Sequence, residues 1–325
     1  MAQSRAIVIT GPTGTGKTEL AVEVALRVGA EIISADSRQI YRYMDVGTAK
    51  PSGDLRERVP HHGLDLLNPD EHYSAGRFAR HAWRWIEEAH ARGRGALIVG
   101  GTGFFIRALL APLGPEPDSD PRRRARLRDY LGRRPIAELR RWLARIDPQR
   151  AAQLEREGGP QRLGRSLEVA LLSGRRHSWW LSRPAETPAL EAPVVCLRLP
   201  REELYRRIEG RLDRMLAQGF LDEVRRLWTQ YGDDAPGLKS VGYVELISHR
   251  RGERSLAEAV EAAKRGTRRF ARRQVTWFRH QLPPGTLWLS AELPRRELVD
   301  EIVRLWMPSD GRASSEPRSP IASSD

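Results

Sequence analysis

A chain of 325 residues with 40% hydrophobic content is long enough for roughly two domains with real cores. Its 55 Lys and Arg against 42 Asp and Glu leave a net charge of +13, carried almost wholly by arginine, which suits a polyanionic partner. No apolar run approaches the ~20 residues of a membrane helix, no signal peptide is expected, and one cysteine, Cys196, excludes a disulfide framework or zinc cluster and fits a reducing cytoplasm.

The chain opens on its most informative stretch. Ile7, Val8 and Ile9 form an apolar run suited to a buried parallel strand, and Gly11, Pro12, Thr13, Gly14, Thr15, Gly16, Lys17 and Thr18 fit the P-loop pattern G-x-x-x-x-G-K-[ST] in full. A helix follows, with Leu20, Ala21 and Val24 on one inward face and Gly29 as its stop. Glycines let successive N–H groups turn toward a phosphate, and the helix N-terminus adds its dipole at the same point. Lys17 supplies a mobile positive charge to the outer phosphate, and the Thr18 hydroxyl sits where Mg2+ is held. A chance Gly/Thr turn would lack this strand-before, helix-after context.

A second strand over 31–36 ends at Asp36. Ligands gather beyond the carboxyl ends of parallel strands, so this carboxylate is placed for chemistry, although an Asp that caps a turn is as good a reading of the residue alone. Two polar loops follow, over 45–51 and 60–65. His61 and His62 lie in the second, where hydrogen-bonded or solvent-facing imidazoles are favoured over a metal site, because no further ligands stand at suitable spacing. A helix over 74–92 is capped by Ser74, with Phe78, Ala82, Trp85, Ile86 and Ala89 recurring at three- and four-residue steps. A third strand over 96–99 ends in Gly100, Gly101, Thr102 and Gly103, where many P-loop ATPases carry a Walker B aspartate. That tip is poorly equipped for ATP hydrolysis, and its glycines permit close approach to a leaving group.

Residues 111–121 are rich in Pro, Gly and Asp and mark a boundary. Helices are expected over 122–131, 136–145, 148–157 and 161–173, and no strand recurs until 194–199. Residues 116–191 therefore read as a helical insertion between two strands of one parallel sheet. Arg122, Arg123, Arg124, Arg126 and Arg128 crowd one short segment, with Arg162, Arg165, Arg175 and Arg176 further on. A basic run is usually a solvated helix face, but this pile-up in one inserted unit favours a groove for a phosphate backbone. The last third is helical over 201–218, 221–231 and 256–279, with a short strand over 286–289 and a helix over 295–306. Residues 308–325, rich in Ser and Pro, are expected to be disordered.

Taken in order, these stretches resemble the bacterial tRNA dimethylallyltransferase family. The resemblance runs from residue 6 to about 281. It is carried by Gly11 to Thr18; the run Ile33, Ser34, Ala35, Asp36, Ser37, Arg38, Gln39, Ile40, Tyr41; Gly47 to Pro51; Gly100 to Gly103; Asp147 with Pro148; Gln161 to Arg165 with Leu167 and Glu168; Gly219 with Asp222 and Glu223; Val241, Gly242, Tyr243 with Glu245; and the run from Arg272 to Phe278. It implies a P-loop NTPase-like α/β fold, a parallel sheet flanked by helices, with an inserted all-helical RNA-binding domain: core over 1–115, insertion over 116–191, core completion over 192–307 and a tail over 308–325. The activity implied is transfer of a dimethylallyl group from dimethylallyl diphosphate to the N6 amine of the adenosine adjacent to the anticodon, in tRNAs reading codons that begin with U.

The resemblance also assigns roles. Residues 11–18 hold the diphosphate, with Mg2+ as cofactor near Thr18; Asp36 engages the adenine amine; Thr102 hydrogen-bonds the bridging oxygen; Lys17 and Arg211 neutralise departing diphosphate. It carries tRNA contacts to Asp36, Ser37, Arg38, Gln39, Thr102 and Arg124, to Gln161, Arg162, Leu163, Gly164 and Arg165, and to Lys239, Ser240, Val241, Gly242, Tyr243 and Val244. Partners are the tRNA anticodon stem-loop and the diphosphate donor, with no membrane and a monomeric protein. Two departures stand out: residues 155–159 replace the usual His-Pro-Asn-Asp wording, and Ser166 precedes Leu167 and Glu168 where alanine is usual. The competing readings are a P-loop kinase of a nucleotide or small molecule, which needs ATP turnover, and an RNA-binding protein with a nucleotide switch.

Overall fold

The computed structural model describes residues 5–306 apart from 113, 116 and 118. The expected tail over 308–325 and three positions of the linker lie outside the described residues. In chain order the elements are β1 (Ala6–Thr10), α1 (Lys17–Val28), β2 (Ala30–Ser34), α2 (Gly53–Arg58), β3 (His61–His62), α3 (Ala75–Ala91), β4 (Gly95–Gly100), α4 (Gly103–Leu110), α5 (Pro121–Gly132), α6 (Ile136–Ile146) and α7 (Pro148–Glu157). There follow α8 (Pro160–Ser173), α9 (His177–Leu181), β5 (Val194–Arg198), α10 (Arg201–Ala217), α11 (Phe220–Tyr231), α12 (Tyr243–Arg250), α13 (Leu256–Gln281), β6 (Leu287–Ser290) and α14 (Arg295–Trp306).

The sheet has six parallel strands in the order β3-β2-β4-β1-β5-β6. Its central strands are buried on both faces, so they read as continuous apolar runs rather than alternating ones. Alternation survives in where each side chain goes. Ile7 and Ile9 point to the face covered by α1 and α14, whereas Val8 joins Phe78, Ile86 and Ile98 on the face covered by α3, α4 and the C-terminal helices. Cys196 is fully buried on β5, and burial pushes its thiol up to about 12, so it is inert packing.

Helices α5 to α9 follow α4 and precede β5, and α5 to α8 enclose their own small core of Leu131, Leu139, Leu143, Leu154, Leu163 and Leu167. Asp147 helps order it. Fully buried, it caps α7 through the Arg150 N–H and accepts from both the backbone and hydroxyl of Ser178 at 2.7 Å, fastening α9.

Four helices were not foreseen: α2, α4, α9 and α12. The 60–65 loop also carries an edge strand. His61 and His62 make β3, pairing with Ile32 and Ile33. His62 Nε2 meets the buried Glu31 carboxylate at 2.6 Å, and Arg92 donates to both Glu31 oxygens, holding that carboxyl down at about 2. These imidazoles serve the sheet edge: His61 Nδ1 lies 2.7 Å from the Val59 carbonyl.

Candidate active site

The site forms beyond the carboxyl ends of β1, β2 and β4. The loop after β1 turns on three positive-φ glycines, and Gly11 is the most constrained: at φ 144° a β-carbon there would lie 2.6 Å from the Leu197 carbonyl of β5. Gly16 caps α1, so Lys17 and Thr18 open the helix and their N–H groups have no intrahelical acceptor. Lys17 Nζ donates to the Pro12 carbonyl at 2.7 Å and lies 3.3 Å from Thr15 Oγ1, while the buried Thr15 hydroxyl donates to the same carbonyl. Burial, followed by the Arg211 charge, lowers Lys17 to about 8. Arg211 comes from α10, more than 190 residues away, and its guanidinium donates to Thr13 Oγ1 at 3.0 Å and to the Thr48 carbonyl at 3.5 Å. Burial lowers it too, and the charge of Asp36 opposes the shift in both cations.

Asp36 sits two residues past β2. The backbone N–H of Arg38 donates to its Oδ1 at 2.8 Å, so the carboxylate caps a turn and is oriented by it. Next to it, Thr102 caps α4 and its Oγ1 accepts from the Ser37 N–H at 2.9 Å and contacts Ser37 Oγ at 3.2 Å. Lys17, Arg211, Asp36 and Thr102 are thereby gathered from three strand ends and a distant helix.

Gly100 at the tip of β4 has a packing reason of its own. A β-carbon on Gly100 would fall 2.1 Å from the Ala35 carbonyl oxygen, so this glycine lets the ends of β2 and β4 meet. The tip still carries no acidic side chain where a Walker B carboxylate would stand.

Three residues central to this geometry had no role in the sequence reading, although each lies in a stretch that carried the resemblance. Gln274 on α13 is buried; its Oε1 accepts from the Thr13 N–H at 3.0 Å and its Nε2 donates to the Gly101 carbonyl at 2.9 Å, tying the P-loop to the β4 tip. Glu223 on α11 accepts from the N–H groups of Asp45, Val46 and Gly47 at 2.8 to 3.0 Å and from the Tyr243 hydroxyl at 2.6 Å. Glu168 on α8, 2% exposed, accepts from Arg124 at 2.7 Å, from Arg128 at 3.1 Å and from Arg165. A polar residue amid a helix's apolar stripe is the signal that could have found them.

The candidate tRNA-contacting residues divide by exposure. Gln161, Arg162, Lys239 and Val244 are exposed; Asp36, Ser37, Arg38, Thr102, Arg124, Gly164, Arg165 and Val241 are half-buried; Gly242 is buried at φ 92°. Four side chains belong to the interior instead. Leu163 packs in the small core of α5 to α8, Ser240 donates to the Gly237 carbonyl, Gln39 donates to the Thr48 and Ala49 carbonyls, and Tyr243 is fully buried against Phe220. These four hold the surface in shape rather than forming it. Thr13 is likewise committed, since its N–H and Oγ1 are taken by Gln274 and Arg211.

Known proteins match most of this chain. The IPP transferase family model matches residues 39–281 and the isopentenyl transferase model residues 4–58. The chain is 44% identical over 276 residues to a tRNA dimethylallyltransferase of Citrifermentans bemidjiense, covering 84% of this chain and 89% of that one. It is 44% identical over 282 residues to a tRNA dimethylallyltransferase of Geobacter metallireducens, covering 85% and 90%. Among solved structures, a tRNA isopentenylpyrophosphate transferase of Bacillus halodurans superposes with a TM-score of 0.68 at 32% identity, covering 93% of this chain and 97% of that one. A eukaryotic dimethylallyltransferase acting on tRNA gives a TM-score of 0.74 at 26% identity, covering 88% and 73%. With a P-loop NTPase-like core, a site lacking a hydrolytic acid, and matches spanning both, the chain belongs to the IPP transferase family of tRNA dimethylallyltransferases.

Proposed function

We propose that this enzyme moves a dimethylallyl group from dimethylallyl diphosphate to the N6 amine of the adenosine adjacent to the anticodon, in tRNAs that read codons beginning with U. The observation that carries this reading is the convergence of a P-loop cation pair, Lys17 and Arg211, with a turn-fixed carboxylate, Asp36, at a site whose β4 tip offers Thr102 in place of an acid. A kinase would want the opposite at that tip.

The adenine amine is a weak nucleophile because its lone pair is delocalised into the ring. As N6 attacks the allylic carbon, the C–N bond forms, the C–O bond to diphosphate breaks with its electron pair leaving on oxygen, and the N6 proton passes to Asp36. General-base help of this kind contributes roughly 100- to 10,000-fold. Charge gathering on the leaving diphosphate is met by Lys17, Arg211 and the N–H groups at the start of α1, with Thr102 donating to the bridging oxygen. Gly14 to Thr18 form the cradle proper, and Thr13 shapes it.

Mg2+ suits the residues present. The Thr18 hydroxyl, in the first turn of α1, makes no hydrogen bond among the described residues, and these gather no cluster of three His, Cys, Asp or Glu. A cation here would take Thr18 and otherwise diphosphate oxygens and water, the coordination Mg2+ favours. When bound it neutralises the leaving group.

The RNA is gripped by the helical insertion and the 239–244 segment. Arg122, Arg123 and Arg126 are exposed on α5, and Arg124 and Arg165 are held in place by Glu168. Mass spectrometry of tRNA after incubation with dimethylallyl diphosphate and Mg2+ tests the reading: a dimethylallyl mass increment on that adenosine is expected, with negligible ATP turnover. A phosphorylated product formed with stoichiometric ATP consumption would replace it with the kinase.

A further inference from the structure

Phe104 is the most exposed large apolar side chain among the described residues, at 61%, and it stands two residues after Thr102 in the first turn of α4. A single exposed aromatic needs no explanation, but this one is not single. Its ring lies 6.1 Å from that of Trp277 on α13, tilted by 54°. Trp277 is braced edge-on by the buried Phe278 at 5.6 Å and rests on the backbone of Gly103, where a β-carbon would approach it to 2.4 Å. One helical turn beyond Phe104 is exposed Arg107, tied to Gln281 at 3.1 Å; one turn before Trp277 is exposed Arg273, with no ion pair among the described residues.

We propose that Phe104 and Trp277 form a stacking platform for an unpaired nucleobase of the substrate RNA, the neighbour of the base that enters the site. Rigid aromatic faces alternating with guanidinium groups are what single-stranded nucleic acid binds: the rings take bases and the arginines take phosphates. A target base reaches Asp36 and Thr102 only by leaving its stack, which strips its neighbour of one stacking face. The exposed Phe104 ring, two residues along the chain from Thr102, replaces that face. The inference rests on the tRNA-modifying reading and adds a contact that sets how the loop is opened.

The test is a cycle between Phe104→Ala and an anticodon stem-loop RNA made abasic at the nucleotide before or after the target adenosine. Phe104 is exposed, so the variant folds; Phe104→Trp serves as the aromatic control. On the intact RNA, Phe104→Ala weakens binding by roughly 5- to 100-fold, as loss of one base-aromatic stack does, while Phe104→Trp binds like the parent and donor affinity stays unchanged in both. On one of the two abasic RNAs the parent loses a similar factor and Phe104→Ala loses nothing further. Equal loss on intact and both abasic RNAs, or no loss at all, overturns the platform. So does a weakened affinity for dimethylallyl diphosphate, which would make the ring part of the donor pocket. Failure of the underlying reading is seen separately, as absence of tRNA prenylation by the parent enzyme.

Discussion

Removing the Gln274 side chain tests whether the P-loop and the β4 tip act as one rigid frame. The amide makes two hydrogen bonds, 3.0 Å to the Thr13 N–H and 2.9 Å to the Gly101 carbonyl, from a position 8% exposed. Each is worth about 0.5–1.5 kcal/mol net, and stranding a buried partner costs about 1–3 kcal/mol, so Gln274→Ala should lose roughly 2–4 kcal/mol of stability and lower the melting midpoint by roughly 3–6 °C. The catalytic loss should be larger than the stability loss implies. Thr13 is held to Arg211, and Gly101 precedes Thr102, so freeing them lets the leaving-group cations drift from Asp36 and Thr102. A displacement of about 1 Å at such a site can cost 100-fold. Single-turnover prenylation of tRNA at saturating donor, below the variant's midpoint, should therefore fall about 10- to 100-fold. Gln274→Glu, which keeps an acceptor for Thr13 but sets an oxygen against the Gly101 carbonyl, should fall in between. Parental turnover in a folded Gln274→Ala enzyme would refute the frame.

Asp36→Asn keeps the turn acceptor for Arg38 but removes the proton acceptor, so single-turnover prenylation should drop roughly 100- to 10,000-fold with tRNA affinity retained; undiminished turnover would remove Asp36 from the chemistry. Lys17, lowered to about 8 by burial and then by Arg211, carries its charge below that pH and loses it above. Donor kcat/KM should thus fall above pH ~8 with a slope of one proton, and kcat should hold to higher pH because bound diphosphate favours the charged ammonium. Arg211→Gln should move the kcat/KM limb upward, since a like charge has been removed; a limb that stays put would assign it to another group. Replacing exposed Arg122, Arg123 and Arg126 with Ala, while sparing Arg124 and its ion pair to Glu168, should weaken tRNA binding and flatten its salt dependence with donor binding unchanged. An unaltered salt slope would make them a solvated face.

The local signals in this chain were strong, and local structure followed them. The P-loop, the capping of α3 by Ser74, the apolar runs of β1, β4 and β5 and the helical stretch before β5 all carry their signal within a few consecutive residues, so spacing and residue type were enough to find them. The absence of an acid at the β4 tip was likewise legible, because it depends on a single position in a recognisable element. Residue type alone could not say which polar residues of the C-terminal helices face inward. Arg211, Glu223 and Gln274 lie 163 to 261 positions from the groups they bind in the P-loop, the 45–48 loop and the β4 tip, and only the packing of α10, α11 and α13 against the sheet brings them there. The same holds for Tyr243 and Leu163, which share motifs with exposed neighbours yet turn into the core, since a helix face is chosen by what packs on it. Spacing along the chain determined the cradle; the closure of the sheet and its helices decided which distant side chains hold it in shape.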